Sequence, residues 1–489
     1  QAGENVTTGE SNTFIGSEAG RACTTGNHNS IIGKQAGDAI TTGGSNVANG
    51  FGALSGCTTG GNNVAIGRSA LLANQTGADC TAVGAYALNA NTATGNTAFG
   101  SDALRANTSG SSNVALGQNT LKVATTATQN TVAGSNAGDA ITTGSDNAIY
   151  GAYAGGAQTT GSRSAFFGNN AGAAITTGTD NVAIGNNSLY ACVEGTKNIA
   201  IGAYAADSWL NTGIVAIGHQ CATAATTANY TVGVGYQVFE YLTTGDYNTA
   251  VGSQAMNRVT TGHSNTAYGA NALMYTQTAI NNTAVGRSAL GGDTVTGNSN
   301  TAVGYFALKD STSGDNNTSV GASALTANTT GSHNTAVGSS AAKAITTGIE
   351  NTIIGDYAGD AITTGSYNTA LGHDALGACT TSQFNVAVGM EAMMQNTGGE
   401  NVAIGAYALY ASSTGSNNVA IGKDALQVST SSNNVAVGNQ AAGSCTSGTG
   451  NVSIGNKAGF SATGNSGNSF LGMEAGRYST GQQNTGIGY

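Results

Sequence analysis

The sequence predicts an all-β fold, a parallel β-solenoid (β-roll) of about 29 coils, and three observations predict it. The first is a pentapeptide of the form N-x-A-[VI]-G that returns every 17 residues from end to end: N-T-A-V-G at 248–252, N-T-A-L-G at 368–372, N-V-A-I-G at 401–405. Its closing glycines run Gly16, Gly33, Gly50, Gly67, Gly84 and on to Gly455, Gly472 and Gly488. The step slips to 16 a few times, as from Gly84 to Gly100, and to 18 once, from Gly286 to Gly304. A unit this short has no interior of its own, so burial must come from the coils above and below. The second observation is the complete absence of proline; in a solenoid each backbone N–H serves a neighbouring coil, and proline would delete a donor. The third is that helix-capping pairs and helical periodicity are both missing, while short β-branched stretches alternate with glycine-bearing corners.

Each coil is numbered from its marker glycine as position zero. Two extended stretches are expected, at +14 to +16 and at +1 to +4. Glycines at zero and at +10, the end of a Thr-Thr-Gly phrase, mark corners that exclude a Cβ. The Asn at +13 recurs in nearly every coil, and identical amides stacked at the ~4.8 Å strand spacing can bond in a ladder. Four coils break that ladder, with Cys80, Ser164, Ile214 and Thr231. Positions +4 and +7 trade volume: Gly37 goes with Ile40, Gly138 with Ile141 and Gly359 with Ile362, whereas Leu71 goes with Asn74 and Leu54 with Cys57. The two are therefore expected to share one pocket. Ala at +3 and Leu at +4 are adjacent, so on an extended strand they face opposite sides. That favours an outward apolar stripe at +3/+4 forming an interface between parallel chains, over a corner at +4 that folds inward.

Composition narrows the function. Only 8% of residues are charged, the net charge is −10, and the 14 basic residues are scattered singly. Nucleic acid requires clustered Lys and Arg, so it is not an expected partner. The longest apolar runs fall well short of a membrane span. No compositional break appears, and residues 1–489 read as one continuous array without an internal domain boundary. Five of the seven cysteines (Cys23, Cys57, Cys192, Cys379, Cys445) share column +7, far apart along the axis, and read as small buried apolar residues.

Site chemistry is sought without result. His28, His219, His263, His333 and His373 lie in loop or corner columns without a partner at ligand spacing. Asp38, Asp139 and Asp360 share column +5 and read as solvated carboxylates rather than a cation site across a threefold axis. Neither a phosphate-binding loop nor a calcium nonapeptide occurs. No enzyme, cofactor, metal or catalytic residue is expected. The least regular stretch, 203–242, holds the single tryptophan. Trp209 is read as standing two residues past the +7 column, where Ala206 leaves room, either as a packing variation or as a lateral docking site.

The coil N-[TV]-A-[IV]-G-x-x-A resembles, over the whole chain, the head repeat of trimeric autotransporter adhesins and the same type of repeat in phage tail-fibre proteins. The resemblance implies a left-handed β-roll and a homotrimer of side-by-side chains. The adhesin coil is a few residues shorter, so the Thr-Thr-Gly loop is an extension. The adhesin's stalk and anchor, and the self-cleaving chaperone domain of tail fibres, are not among these residues.

The expected function is a non-catalytic, extracellular structural fibre on a cell surface or virion, the shaft of a tail fibre or adhesin that serves a host or cell-surface glycan receptor. Read tail to head, Gly488-Tyr489 and Gln1-Ala2-Gly3 spell G-Y-Q-A-G, as does G-K-Q-A-G at 33–37 but for one residue. Protomers that stack head to tail into a filament and a window of a longer array are both consistent with that phase. The alternative from another class is a solenoid that binds ice or another crystal surface through its threonines.

Overall fold

The computed structural model describes residues 1–489, which form two compact units, Gln1–Thr244 and Gly245–Tyr489. Both are all-β and both are built from the same coil, each coil giving one three-residue strand at +14 to +16. In the first unit β1 (Thr13–Ile15), β2 (Ser30–Ile32) and β3 (Val47–Asn49) pair in parallel, Thr13 opposite Ser30 and Ser30 opposite Val47. The series continues coil by coil to the strand Val232–Val234. In the second it runs from Thr249–Val251 to Thr485–Ile487. Coils of 16 or 18 residues keep the same register, Thr81 opposite Thr97 and Thr283 opposite Thr301, so their loops absorb the difference.

The second expected strand is absent. Residues +1 to +6 form two tandem turns instead, closed by Ala53 N–H donating to Gly50 O (3.3 Å) and Cys57 N–H to Leu54 O (3.2 Å). Positions +2 and +4 are left-handed, with φ of 56° at Ser69 and 49° at Leu71. This overturns the expected apolar stripe at +3/+4. Ala70 with Leu71, and Ala87 with Leu88, are wholly buried. The alternation of side chains holds only for extended backbone, and the positive φ at +4 turns its side chain back into the coil. A left-handed leucine costs about 1–2 kcal/mol, whereas its burial gains about 1.5–3 kcal/mol. The Leu71 N–H also donates to Ala87 O of the next coil at 3.0 Å, so the inward conformation wins.

The interior of a coil is made of columns +3, +4, +7, +10, +13 and +15. Volume is shared among three of them. A Cβ added at Gly37 would lie 2.8 Å from Ile40 Cδ1, and one at Gly138 2.9 Å from Ile141 Cδ1, so +4 and +7 occupy one pocket as the sequence predicts. Column +15 belongs to the same pocket. Phe166 fills it from there, and a Cβ at Gly155 or Gly172, the +4 residues of its own coil and of the next, would lie 3.0 or 2.9 Å from its ring. Counted from Gly202, Trp209 is +7 itself; it is wholly buried above Ala206 at +4. The indole replaces the volume that alanine gives up, and the lateral docking reading falls.

Glycine is needed at two columns for close approach. Gly33 has φ of 135°, and a Cβ there would lie 2.4 Å from Gly50 O of the next coil. At +10 a Cβ on Gly43 would lie 2.4 Å from Gly60 O. Between these corners the Thr-Thr-Gly phrase converges on one carbonyl: Thr58 O accepts from Thr41 N–H (2.9 Å), from Thr42 and Gly43 N–H (3.3 Å each) and from Thr41 Oγ1 (3.1 Å).

The Asn column forms the expected ladder. Asn46 Nδ2 donates to Asn29 Oδ1 at 3.1 Å and to Gly60 O at 3.0 Å, and Asn46 N–H also donates to Asn29 Oδ1 at 3.1 Å. Asn63 repeats the pattern on Asn46. Where a rung is missing, column +7 can supply it: Gln158 Nε2 reaches Asn147 Oδ1 (3.3 Å) beside Ser164, and Asn91 Oδ1 accepts from Asn96 Nδ2 (3.0 Å) beyond Cys80.

Gly138→Leu should overpack the shared pocket by about 1–3 kcal/mol. Hydrogen exchange at the amides of its coil should quicken accordingly, and adding Ile141→Ala should restore part of the protection.

Candidate functional site: the exposed face of the sheet

Side chains able to do chemistry stay apart. All five histidines are exposed. His373 Nδ1 stands 3.2 Å from Asp374 Oδ2, and His219 stacks on Tyr236 with ring centroids 5.8 Å apart. No three His, Cys, Asp or Glu side chains come together. Asp38, Asp139 and Asp360 are half-buried in column +5, each in its own surroundings. Burial raises the pKa of all three, against the pull of Arg21 on Asp38, Lys122 on Asp139 and Lys343 on Asp360. A raised folded-state pKa favours the protonated form, so the stability it contributes is present in acid and is lost as pH rises through that value. The seven cysteines are free and buried. Desolvation pushes the Cys57 and Cys192 thiols up to about 11, which keeps them protonated and unreactive at neutral pH.

What the coil does present is the outer face of its sheet. On each strand the +15 side chain points in while +14 and +16 point out, because here the backbone is extended and alternation holds. Column +16 is apolar or aromatic in every coil but one: Ile15, Ile32, Ile66, Phe99 and Leu116 open the row in the first unit, and Leu371, Ile404, Ile421 and Ile454 belong to it in the second. These side chains are exposed, Ile66 at 40% and Leu371 at 46%. Tyr150 and Phe167 stack within the row, their centroids 4.9 Å apart. The exception is Asn49, which is also exposed.

Column +14 differs between the units. In the first it mixes Val47, Val64 and Val114 with threonine and alanine; in the second, eight successive threonines from Thr249 to Thr369 precede five valines from Val386 to Val452. Over the last three strands a shallow open pocket of ≈ 230 Å³ lies on this face, lined by Val452, Ile454, Ser469, Leu471, Thr485 and Ile487 with Phe470. The apolar surface that the sequence reading placed at +3/+4 therefore lies at +14/+16. The signal was available in the sequence, since Val or Ile at +16 is the most regular apolar column of the repeat, but it was assigned to the strand without a face.

Compared with known proteins, the chain matches no family model and no curated sequence.

Two measurements check the electrostatics of these cysteines and aspartates. At pH 8 a thiol reagent should find none of the seven cysteines in the folded chain and all seven after denaturation. Asp139→Asn should stabilise the protein at pH 7 and make no difference below about pH 3, where the wild-type carboxyl is protonated in both states.

Proposed function

We propose that this chain is a non-catalytic structural fibre element that associates with further copies of itself through the exposed face of its sheet. The observation that supports this reading is the apolar row at +16, interrupted only at Asn49 and flanked by valine and threonine at +14 in most coils. Contiguous apolar surface of this extent marks an interaction site. A partner must offer apolar rows at the same coil spacing, ~4.8 Å, over many coils. A second copy does so by construction, since its own face carries the same rows with the same period. Three such faces meeting about a common axis give the homotrimer that the repeat's resemblance implies. The setting we propose is extracellular, as the shaft of a tail fibre or surface adhesin whose receptor is a glycan, with head-to-tail stacking extending the shaft.

Sedimentation equilibrium of the full chain tests self-association. A trimer is expected at micromolar concentration, and Ile404→Glu with Ile421→Glu should dissociate it while circular dichroism stays unchanged, because both residues point outward. A wild-type chain that remains monomeric at that concentration rejects the reading.

One observation favours the second reading, a binder of ice or another crystal surface. Threonine at +8 cannot serve it, since a hydroxyl such as that of Thr41 is spent on a backbone carbonyl. The eight threonines of column +14 form a regular outward row beside a row of valine and isoleucine, on a sheet whose strands repeat at ~4.8 Å. Thermal hysteresis in the wild type, abolished by Thr301→Leu with Thr318→Leu, would replace the fibre reading with this one; its absence leaves the fibre.

A further inference from the structure

The apolar face that makes self-association favourable leaves a difficulty in how the copies are aligned. Its rows are apolar from coil to coil although their residues vary in size, so sliding one chain past another by a single coil, 17 residues, again sets apolar against apolar, as with Ile201 against Ile217 and Val320 against Val337. Register is weakly specified on a face with such a short repeat. The loss at the ends is one coil's worth of contact. Something else must make the slipped arrangement unfavourable if the assembly is to have a single alignment.

We propose that Asn49 sets the register of the assembled chains. It is the one amide in the whole of column +16, standing between Ile32 and Ile66 on β3 in a row that is otherwise Ile, Val, Leu, Ala, Phe or Tyr. The inference rests on the self-association reading above. Asn49 has no structural duty in its own coil. Its side chain points outward, and its part in the sheet is a backbone one, the carbonyl accepting from Gly67 N–H at 2.8 Å. The contrast with the Asn column at +13 is direct: there the amides between Asn29 and Asn468 are buried, and Asn46 is bonded through its side chain to the coils on both sides. The neighbouring core residue Ala48 is buried and is the same residue type as in most other coils, so nothing in the packing of β3 calls for a polar residue at 49.

When the faces come together in register, Asn49 of each copy meets Asn49 of the others. An amide carries both donors and an acceptor, so a like-with-like cluster can satisfy itself. A slip of one coil in either direction puts each Asn49 against Ile32 or Ile66 of a neighbour and buries it with no partner, a desolvation loss that apolar contact cannot offset. A single buried asparagine in an otherwise apolar helical seam fixes alignment by the same physics. The cost is borne once per slipped chain and does not depend on how long the apolar rows are, which is why one residue suffices.

The experiment uses the full chain and two reporters on the same face. Ile66→Cys and Val83→Cys lie one coil apart in column +16, and the native cysteines are buried, so mild oxidation links the introduced thiols alone. Assemblies formed from a mixture of the two, each with a distinguishable tag, give like-with-like links when in register and mixed links when slipped by one coil. With Asn49 present the mixed links should be scarce. Asn49→Ile should raise them severalfold, and Asn49→Gln, which keeps an amide, should hold them near the wild-type level. Unchanged hydrogen exchange on β3 shows that the variants are folded. A monomeric chain overturns the self-association reading and this one with it. An oligomer in which Asn49→Ile leaves the mixed links unaltered, or in which Asn49→Gln behaves as Asn49→Ile, overturns this inference alone.

Discussion

Everything in this molecule depends on backbone bonding to backbone across the full girth of a coil, at strand spacing and with no side chain between. Hydrogen bonds leave each coil in both directions: Leu71 N–H serves the next coil while Gly67 N–H serves the one before. At the zero corner this leaves no room for a Cβ, which is why glycine stands there in every coil, and it makes glycine the usual residue at +10, where Ala127, Ala228 and Ala279 are among the exceptions. It also requires the polar side chains inside to obey the same period. The Asn ladder does so by giving each buried amide a rung above and below, turning a group that would cost about 1–3 kcal/mol if left unpaired into a structural bond.

The period, the parallel pairing, the corners and the ladder were all legible in the sequence, because each is enforced in every coil and so appears as a column. The pocket shared by +4 and +7 was legible for a different reason: its two residues vary together, and covariation between repeats of one chain records contact. The contribution of +15 was missed although the same signal exists, since Phe166 has glycine at +4 on both sides, as does Phe14 with Gly3 and Gly20. The facing of Leu at +4 was misread. Extended geometry was assumed for a segment whose φ is positive at two of its first four positions, and nothing in the residue type of Leu71 announces a left-handed backbone. Only burial strong enough to offset that strain reveals it.

The same error displaced the candidate interface. Once +4 is folded inward, the surface left to explain is the outer face of the one true strand, and its character follows from simple alternation. Ala65 is small because Leu54 and Leu71 at +4 already fill the pocket it points into, and Ile66 is free to be large because it points out. A fold whose interior is already filled by leucine at +4 or isoleucine at +7 thus carries a second regular apolar row on the outside, which a globular domain seldom does. Burial that the coil cannot provide for itself is left for an assembly to provide.

The three-way sharing of volume has a consequence for how such a chain can change over generations. Since a coil touches only its immediate neighbours, unequal recombination between repeats could add or delete one whole coil and leave matching surfaces at the join. Joins are not equivalent, however. A crossover that separates Phe166 from Gly155 or Gly172 sets an aromatic ring against a filled neighbour, whereas one among coils such as 67–83 and 84–99, with Leu71 and Leu88 at +4 and Ala82 and Ala98 at +15, exchanges like for like. Length variation in this lineage should therefore concentrate in the leucine–alanine coils, with the phenylalanine–glycine triplets inherited as blocks.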